Sequence, residues 1–144
     1  MGFDEIERWI NILMMQELAL DKPKELMKIS LVRAKFGEYL ATNSRYYNRS
    51  LEVSLMCLFS TLDAILDQPM EETLSGVLLS RDVKEALIHK TGPLRPILDL
   101  ILAYEKGHLE TVSPISDNLK IKEDKLYNGY LYAIKTSHKI LLLM

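Results

Sequence analysis

Apolar side chains recur along this chain with the period of an α-helix, and the pattern is strongest between Leu51 and Leu66. Successive apolar positions there fall at i, i+4, i+7, i+8, i+11, i+14 and i+15, which places them on one face of a helix. Because Pro69 cannot continue a helix, the pattern predicts one long helix that ends near Gln68. Its apolar stripe consists of Leu51, Leu55, Leu58, Phe59, Leu62, Ile65 and Leu66.

Proline, glycine and N-capping residues divide the rest of the chain into further helices. Pro23 suits the first turn of a helix that starts after Asp21, and the polar segment 42–48 ends that helix. Ser80 is an N-cap for a helix through about His89, which Gly92-Pro93 closes. The other predicted helices run from Asp4 to Leu20, from Glu71 to Ser75, from Pro96 to Gly107, from Ser113-Pro114 onward for a short piece, and from Lys122 to the C-terminus.

The same spacing predicts which helix faces are buried. The helix after Asp21 is expected to bury a stripe of apolar residues while Lys35 faces elsewhere, and the first helix is apolar on more than one side. The predicted stripes are Phe3, Ile6, Ile10, Leu13 and Met14, widened by Trp9, Met15 and Leu18, in the first helix; Leu26, Ile29, Val32, Phe36 and Leu40 in the second; and Tyr127, Tyr130, Leu131, Ile134, His138 and Leu141 in the last.

No segment alternates apolar and polar residues between turn signals, so the sequence predicts an all-α fold without β-strands. The chain contains no Pro-rich or Ser-rich linker, no low-complexity tract and no repeat of solenoid length. Its 144 residues are enough for one buried core. We therefore expect residues 1–144 to form a single helical domain.

Charge and hydropathy narrow the classes of partner. With 18 basic and 20 acidic residues the net charge is −2, which does not favour nucleic acid or an anionic membrane surface. The acidic N-terminus is unlike a secretory signal, and the longest apolar run, 140–144, is far shorter than the roughly 20 residues of a membrane span. These features predict a cytoplasmic protein that contacts neither nucleic acid nor membrane.

Residues able to do chemistry are scattered. None of His89, His108 and His138 precedes an aspartate, and Cys57 lies within an apolar stripe, where a lone cysteine is usually a small buried hydrophobe. We therefore expect no catalytic, cofactor-binding or metal-binding residues. Two alternatives stay open: a base-stacking platform of Tyr46, Tyr47, Tyr127, Tyr130 and Tyr132 beside Arg45 and Arg49, and a phosphate clamp of Arg33, Arg81 and Arg95.

Several short segments carry a resemblance to a known family. The most specific of them lie between Leu51 and Glu105. The segments are Leu58-Phe59-Ser60, Leu62-Asp63, Pro69-Met70-Glu71-Glu72, Leu79-Ser80, Gly92-Pro93-Leu94 and 100–105, preceded by 31–36, Leu40-Ala41, 2–6 and Arg8-Trp9. In these segments the chain resembles the C-terminal portion of HDOD domains, most closely those that follow an EAL domain in bacterial proteins of cyclic di-GMP signalling.

This resemblance implies a multi-helix bundle similar to HD-type metal phosphohydrolases, but without their catalytic metal site. It also implies a non-enzymatic module of bacterial signal transduction that binds a protein partner, such as an EAL-type domain. A degenerate metal phosphohydrolase and a nucleotide-sensing module are the alternatives.

The chain begins partway through the family pattern, so the N-terminal part of the family domain is expected to be missing. We therefore expect an exposed interaction surface and a homodimer, because a self-complementary patch is most often closed by two-fold pairing. The expected surface consists of Phe3, Trp9, Ile10, Leu13 and Met14.

Overall fold

The computed structural model describes residues 24–75 and 77–143, and within these ranges it is helical without any β-strand. This confirms the predicted all-α class. The predicted helix at 4–20 and the expected surface residues Phe3, Trp9, Ile10, Leu13 and Met14 lie outside the described ranges. The helices are α1 (Lys24–Thr42), α2 (Ser50–Phe59), α3 (Leu62–Leu66), α4 (Met70–Thr73), α5 (Arg81–Lys84), α6 (Arg95–Lys106), α7 (Leu109–Leu119) and α8 (Glu123–Leu143).

Helix α1 is the centre of the described bundle and packs against α2, α6 and α8. Two glycines permit its closest contacts. A Cβ atom on Gly37 of α1 would lie 2.7 Å from Cys57 Sγ of α2, and one on Gly129 of α8 would lie 2.7 Å from Tyr39 Cδ1 of α1. Both distances are shorter than van der Waals contact, so only glycine allows these helices to approach so closely.

An aromatic cluster joins α1, α6 and α8. The ring of Phe36 lies edge-on to those of Tyr104 and Tyr130, with centroids 5.4 and 5.6 Å apart, and the two tyrosine rings are 5.4 Å apart. Such edge-to-face pairs add about 0.5–1.5 kcal/mol beyond the burial of their area. The cluster therefore fixes the orientation of α8 across α1.

The single long helix predicted from Leu51 to Gln68 is wrong, because the chain breaks into α2 and α3 at Ser60 and Thr61. The Ser60 hydroxyl donates a hydrogen bond to the Cys57 carbonyl at 2.6 Å, and the Thr61 hydroxyl pairs with the hydroxyl of Ser30 on α1. Hydroxyl side chains that compete for backbone and tertiary partners interrupt a helix that the apolar period alone would continue.

Helix α2 is also buried on more sides than one stripe predicts. Leu51 and Leu55 are only half-buried, whereas Val53, Ser54 and Met56, on other faces, are fully buried. Cys57 is buried and free, as predicted.

In α1 the predicted stripe is partly wrong. Lys35 was expected to face outward but is only 1% exposed, with Nζ 3.7 Å from Glu38 Oε1, while Ile29 is 36% exposed. A long lysine stem packs well against apolar neighbours, which a two-class hydrophobic pattern does not register.

The buried face of α8 is rotated from the predicted one. Gly129, Ala133 and Ser137 are buried at four-residue spacing, whereas Ile134 is 41% and Tyr127 60% exposed. Small side chains allow α8 to pack closely on α1, and Tyr127 and Ile134 point away from this contact. An apolar surface is therefore exposed beside this contact.

The helix ends match the sequence signals in several places. The Ser80 hydroxyl accepts a hydrogen bond from the Val83 amide, and Gly107 ends α6 in a left-handed conformation with φ of +71°. Pro114 differs, because it lies inside α7 and does not begin a helix. Proline has no backbone N–H, so the carbonyl four residues before it lacks its helical hydrogen bond. Because Pro114 lies at an exposed position, water can bond that carbonyl instead.

Across the described part of the chain, no helix combines the length and apolar character that crossing a membrane requires.

Candidate functional site

A cleft of about 520 Å³ lies between the first half of α1 and the second half of α8. Its walls are mainly apolar, and Glu25, Lys28, Glu105 and His138 supply polar and charged groups around them. We call it the α1–α8 groove. Its apolar lining residues are Ile29, Val32, Tyr130, Ile134 and Leu141.

The hydroxyl group of Ser137 is buried in the wall of the groove. Its side chain lines the groove and is only 2% exposed, and its hydroxyl oxygen has no hydrogen-bond partner among the described residues. A buried hydroxyl without a partner costs about 1–3 kcal/mol, a cost that a bound donor or acceptor would recover. The groove therefore offers apolar area together with one polar anchor, as recognition grooves commonly do.

A second cleft, of about 320 Å³, lies where α1, α3 and α6 meet the segment 85–90 that follows α5, and we call it the basic pocket. Arg33, Lys90 and Arg95 line it together with Asp63. Its apolar lining residues are Met70, Leu87, Ile88, Leu98 and Leu102.

Both arginines of the basic pocket are held by specific partners. Arg33 donates from Nε and Nη2 to the Glu105 carboxylate at 2.9 and 3.0 Å, and from Nη1 to Ser60 Oγ at 3.0 Å. Arg95 donates from Nε to Asp99 Oδ1 at 2.8 Å and from Nη1 to the Ala86 carbonyl at 2.9 Å. The guanidinium groups are therefore fixed in direction before any ligand arrives.

The Arg33–Glu105 ion pair joins the two clefts, because Arg33 lines the basic pocket and Glu105 lines the groove. The side chains of the pair are 16% and 24% exposed, so water screens it only in part.

Of the three arginines proposed as a phosphate clamp, the structure brings two together. Arg33 and Arg95 share the basic pocket, whereas Arg81 lines a different cleft near His89. Sequence reasoning missed Lys90 and Asp63, which join this pocket through the tertiary fold. No local motif marks them.

The tyrosines considered as a stacking platform are separated. Tyr46 is buried and donates a hydrogen bond to the Pro93 carbonyl at 2.8 Å, Tyr130 packs in the aromatic cluster, and Tyr132 donates to Glu38 at 3.1 Å. Tyr47 is exposed just before α2, and Tyr127 is exposed near the start of α8. The described residues therefore hold no platform for stacked bases.

The reactive side chains do not converge. His89 and His108 are exposed near helix ends, and His138, predicted on a buried stripe, is exposed at the groove. Burial raises the pKa of the Cys57 thiol to about 12, which keeps it protonated. Over residues 24–75 and 77–143, no three His, Cys, Asp or Glu side chains are grouped to hold a metal ion.

A further polar network ties the start of α2 to α5. Arg49 donates to both Glu52 oxygens at 2.9 and 2.8 Å and to Asp82 at 2.8 Å, and the Ser80 hydroxyl donates to Glu52 at 2.7 Å. The hydrogen bonds from Arg49 hold the pKa of the Glu52 carboxyl below its ordinary value, and burial opposes them. These polar groups bond one another across two helices, so the network stabilises the fold.

The chain is similar to parts of two longer bacterial proteins. It is 34% identical over 112 residues to the cyclic di-GMP phosphodiesterase CdgJ of Vibrio cholerae, an alignment that covers 78% of this chain and 26% of that protein. It is 32% identical over 146 residues to the uncharacterized protein YuxH of Bacillus subtilis, covering 98% of this chain and 34% of that protein. The chain thus spans about a third or less of these relatives.

Neither a protein-family model nor a solved structure matches the chain.

Proposed function

We propose that this chain is a non-catalytic HDOD-type regulatory module of cyclic di-GMP signalling, and that it acts by binding a protein through the α1–α8 groove. The observation that carries the proposal is the groove itself. Ile29 and Ile134 expose 36% and 41% of their surface on its walls, beside the unpartnered hydroxyl of Ser137. Exposed apolar area around a buried polar anchor suits an amphipathic helix, whose apolar face enters such a groove.

The similarity to CdgJ indicates what kind of partner to expect. The similar region makes up 26% of a protein named as a cyclic di-GMP phosphodiesterase, so in that relative it is joined to the remaining three quarters of a longer chain. We infer that the partner is a phosphodiesterase domain of the EAL type, either within one polypeptide or as a separate chain. The module then alters the domain's activity through contact.

Non-catalytic action is supported by the side chains that fill the interior. The centre of the described bundle is occupied by the Phe36–Tyr104–Tyr130 cluster and by aliphatic residues, and the three histidines lie on different elements near the surface. Phosphodiester hydrolysis by HD-type enzymes needs ligands that converge on metal ions. The arrangement favours a binding role over the phosphohydrolase alternative.

The test is a calorimetric titration of the chain with a purified EAL-type phosphodiesterase domain. Ile134→Asp places a charge on the apolar wall and is expected to weaken binding at least about tenfold. Leu78→Asp is the matched control, because Leu78 is 97% exposed and lies away from the groove. Equal binding by the wild type and Ile134→Asp, or no binding by the wild type, would overturn the proposal.

A further inference from the structure

We propose that the basic pocket is a binding site for a phosphomonoester carried on a single nucleoside-sized body. Its three cationic side chains among the described residues come from separate parts of the chain, namely α1, the end of the segment 85–90 after α5, and α6. Among the described residues, Asp63 is the one carboxylate that lines it. The lining therefore carries an excess of positive charge around a concave surface, which favours an anion.

Donors are left over for a ligand after the protein's own contacts are made. Arg95 uses Nε and Nη1 for Asp99 and Ala86, so among the described residues Nη2 keeps both its hydrogens unbonded. Lys90 forms no ion pair with any of the described residues, so its three ammonium hydrogens are available to a ligand. A planar guanidinium and a mobile ammonium together suit the tetrahedral oxygens of phosphate.

The position of Lys90 is set by the backbone. The helical segment that begins with α5 runs on through a wider turn, Glu85–His89, and Lys90 ends it in the left-handed conformation with φ of +59°. Gly or Asn is usual at such a position, because a longer side chain there is strained. Lysine at this corner places a cation at the mouth of the pocket.

Charge and size select the class of ligand. Glu105 neutralises much of the charge on Arg33, whereas Asp99, with 46% of its side chain exposed, is well solvated and neutralises Arg95 less. A terminal phosphate carries nearly two charges at neutral pH, and a phosphodiester carries one. The volume of about 320 Å³ is near the lower limit for ligand pockets, so it holds one nucleoside and not a cyclic dinucleotide.

The remaining lining suits the nucleoside. Met70, Leu98 and Leu102 supply apolar surface for a planar base. Asp63 accepts one backbone hydrogen bond at Oδ1, from Ala64 at 2.9 Å, and its Oδ2 can accept from a sugar hydroxyl or a base N–H.

The biological role of phosphomonoester binding in the basic pocket rests on the proposed function. Hydrolysis of one phosphodiester bond of a cyclic dinucleotide adds hydroxide to phosphorus and a proton to the released sugar oxygen. The product is a linear dinucleotide whose terminal nucleotide carries a phosphomonoester, and the pocket accommodates that one nucleotide while the second lies outside it. A module beside a phosphodiesterase would thus respond to the product of the reaction rather than to its cyclic substrate.

The experiment is a calorimetric titration of the purified chain alone with guanosine 5′-monophosphate, guanosine, cyclic di-GMP and inorganic phosphate. We expect guanosine 5′-monophosphate to bind more tightly than the other three. Arg95→Gln and Lys90→Gln should each weaken its binding about tenfold, since each removes a charge-assisted hydrogen bond. Arg81→Gln, which changes an arginine of another cleft, should leave the affinity unchanged.

Equal affinity for guanosine or cyclic di-GMP, full affinity in Lys90→Gln, or no binding at millimolar concentration would overturn the site. Lys90 is exposed, so its substitution tests the site even if Arg95→Gln does not fold. Because no partner protein is present, this result is independent of whether the α1–α8 groove binds a phosphodiesterase domain.

Discussion

The contact between Gly37 and Cys57 gives a quantitative prediction about how α1 packs on α2. In Gly37→Ala the new methyl group would lie 2.7 Å from Cys57 Sγ, 3.3 Å from a Val53 methyl group and 3.5 Å from Cys57 Cβ. Overpacking of this kind costs about 1–3 kcal/mol, against about 1 kcal/mol gained because alanine favours a helix interior. Gly37→Ala should therefore lower the free energy of unfolding by about 0–2 kcal/mol instead of raising it.

Removing the sulfur atom tests the cause. Cys57→Ala alone should destabilise by about 1–2 kcal/mol, through lost packing of a fully buried atom. In the double variant the methyl group introduced at position 37 occupies space that the sulfur has left. The double variant should then be more stable than the sum of the single effects by about 1–2 kcal/mol, with the Val53 contact limiting the gain.

The assay is equilibrium urea unfolding of the wild type, both single variants and the double variant, followed by far-ultraviolet circular dichroism. With a urea slope of about 1–3 kcal/mol/M, a coupling of about 1 kcal/mol corresponds to a midpoint difference of roughly 0.3–1 M. Gly129→Ala combined with Cys57→Ala is the control, because Gly129 faces Tyr39 and Phe36, and its effect should be additive. A Gly37–Cys57 coupling below about 0.5 kcal/mol would refute the close approach of α1 and α2.

With the pKa of the Cys57 thiol raised to about 12 by burial, Ellman's reagent should react with it only after denaturation, and rapid reaction of the native protein would contradict its placement. Because Arg49 holds the folded-state pKa of Glu52 below the ordinary value of 4.5, the contribution of Glu52 to stability is complete above that pH and is lost as pH falls through the lowered pKa. The acid side of the stability profile should therefore flatten in Glu52→Gln, and an unchanged slope would exclude this linkage. Light scattering over a dilution series should show a dimer that Ile10→Asp converts to a monomer, whereas a wild-type monomer at all concentrations would disprove the predicted self-association.

The sequence was sufficient for the helical class and for most helix ends. Ser80, Gly107 and Pro69 act through local backbone chemistry, which neighbouring residues determine, and the structure places all three at helix boundaries. The break at Ser60 and Thr61 was not predictable in this way. It depends on Ser30 and Arg33, which are distant in sequence and bond the two hydroxyls only in the folded bundle.

The candidate sites were less accessible from sequence. A hydrophobic pattern ranks large residues as buried, but α8 buries Gly129, Ala133 and Ser137 because small side chains let it approach α1. Their four-residue spacing was the available signal for this contact. The groove forms as a consequence, because Ile134 is left on the outside. The basic pocket had a partial signal in Arg33 and Arg95, whereas Lys90 enters it only through the tertiary fold.

Regulation through contact is measured as the rate of cyclic di-GMP hydrolysis by an EAL-type phosphodiesterase domain, with and without the purified chain. Our expectation is that the chain alone yields no linear dinucleotide, that it changes the rate of the domain, and that Ile134→Asp abolishes this change while Leu78→Asp retains it. Turnover by the chain alone, or an identical rate with the wild type, with Ile134→Asp and with no added chain, would contradict it.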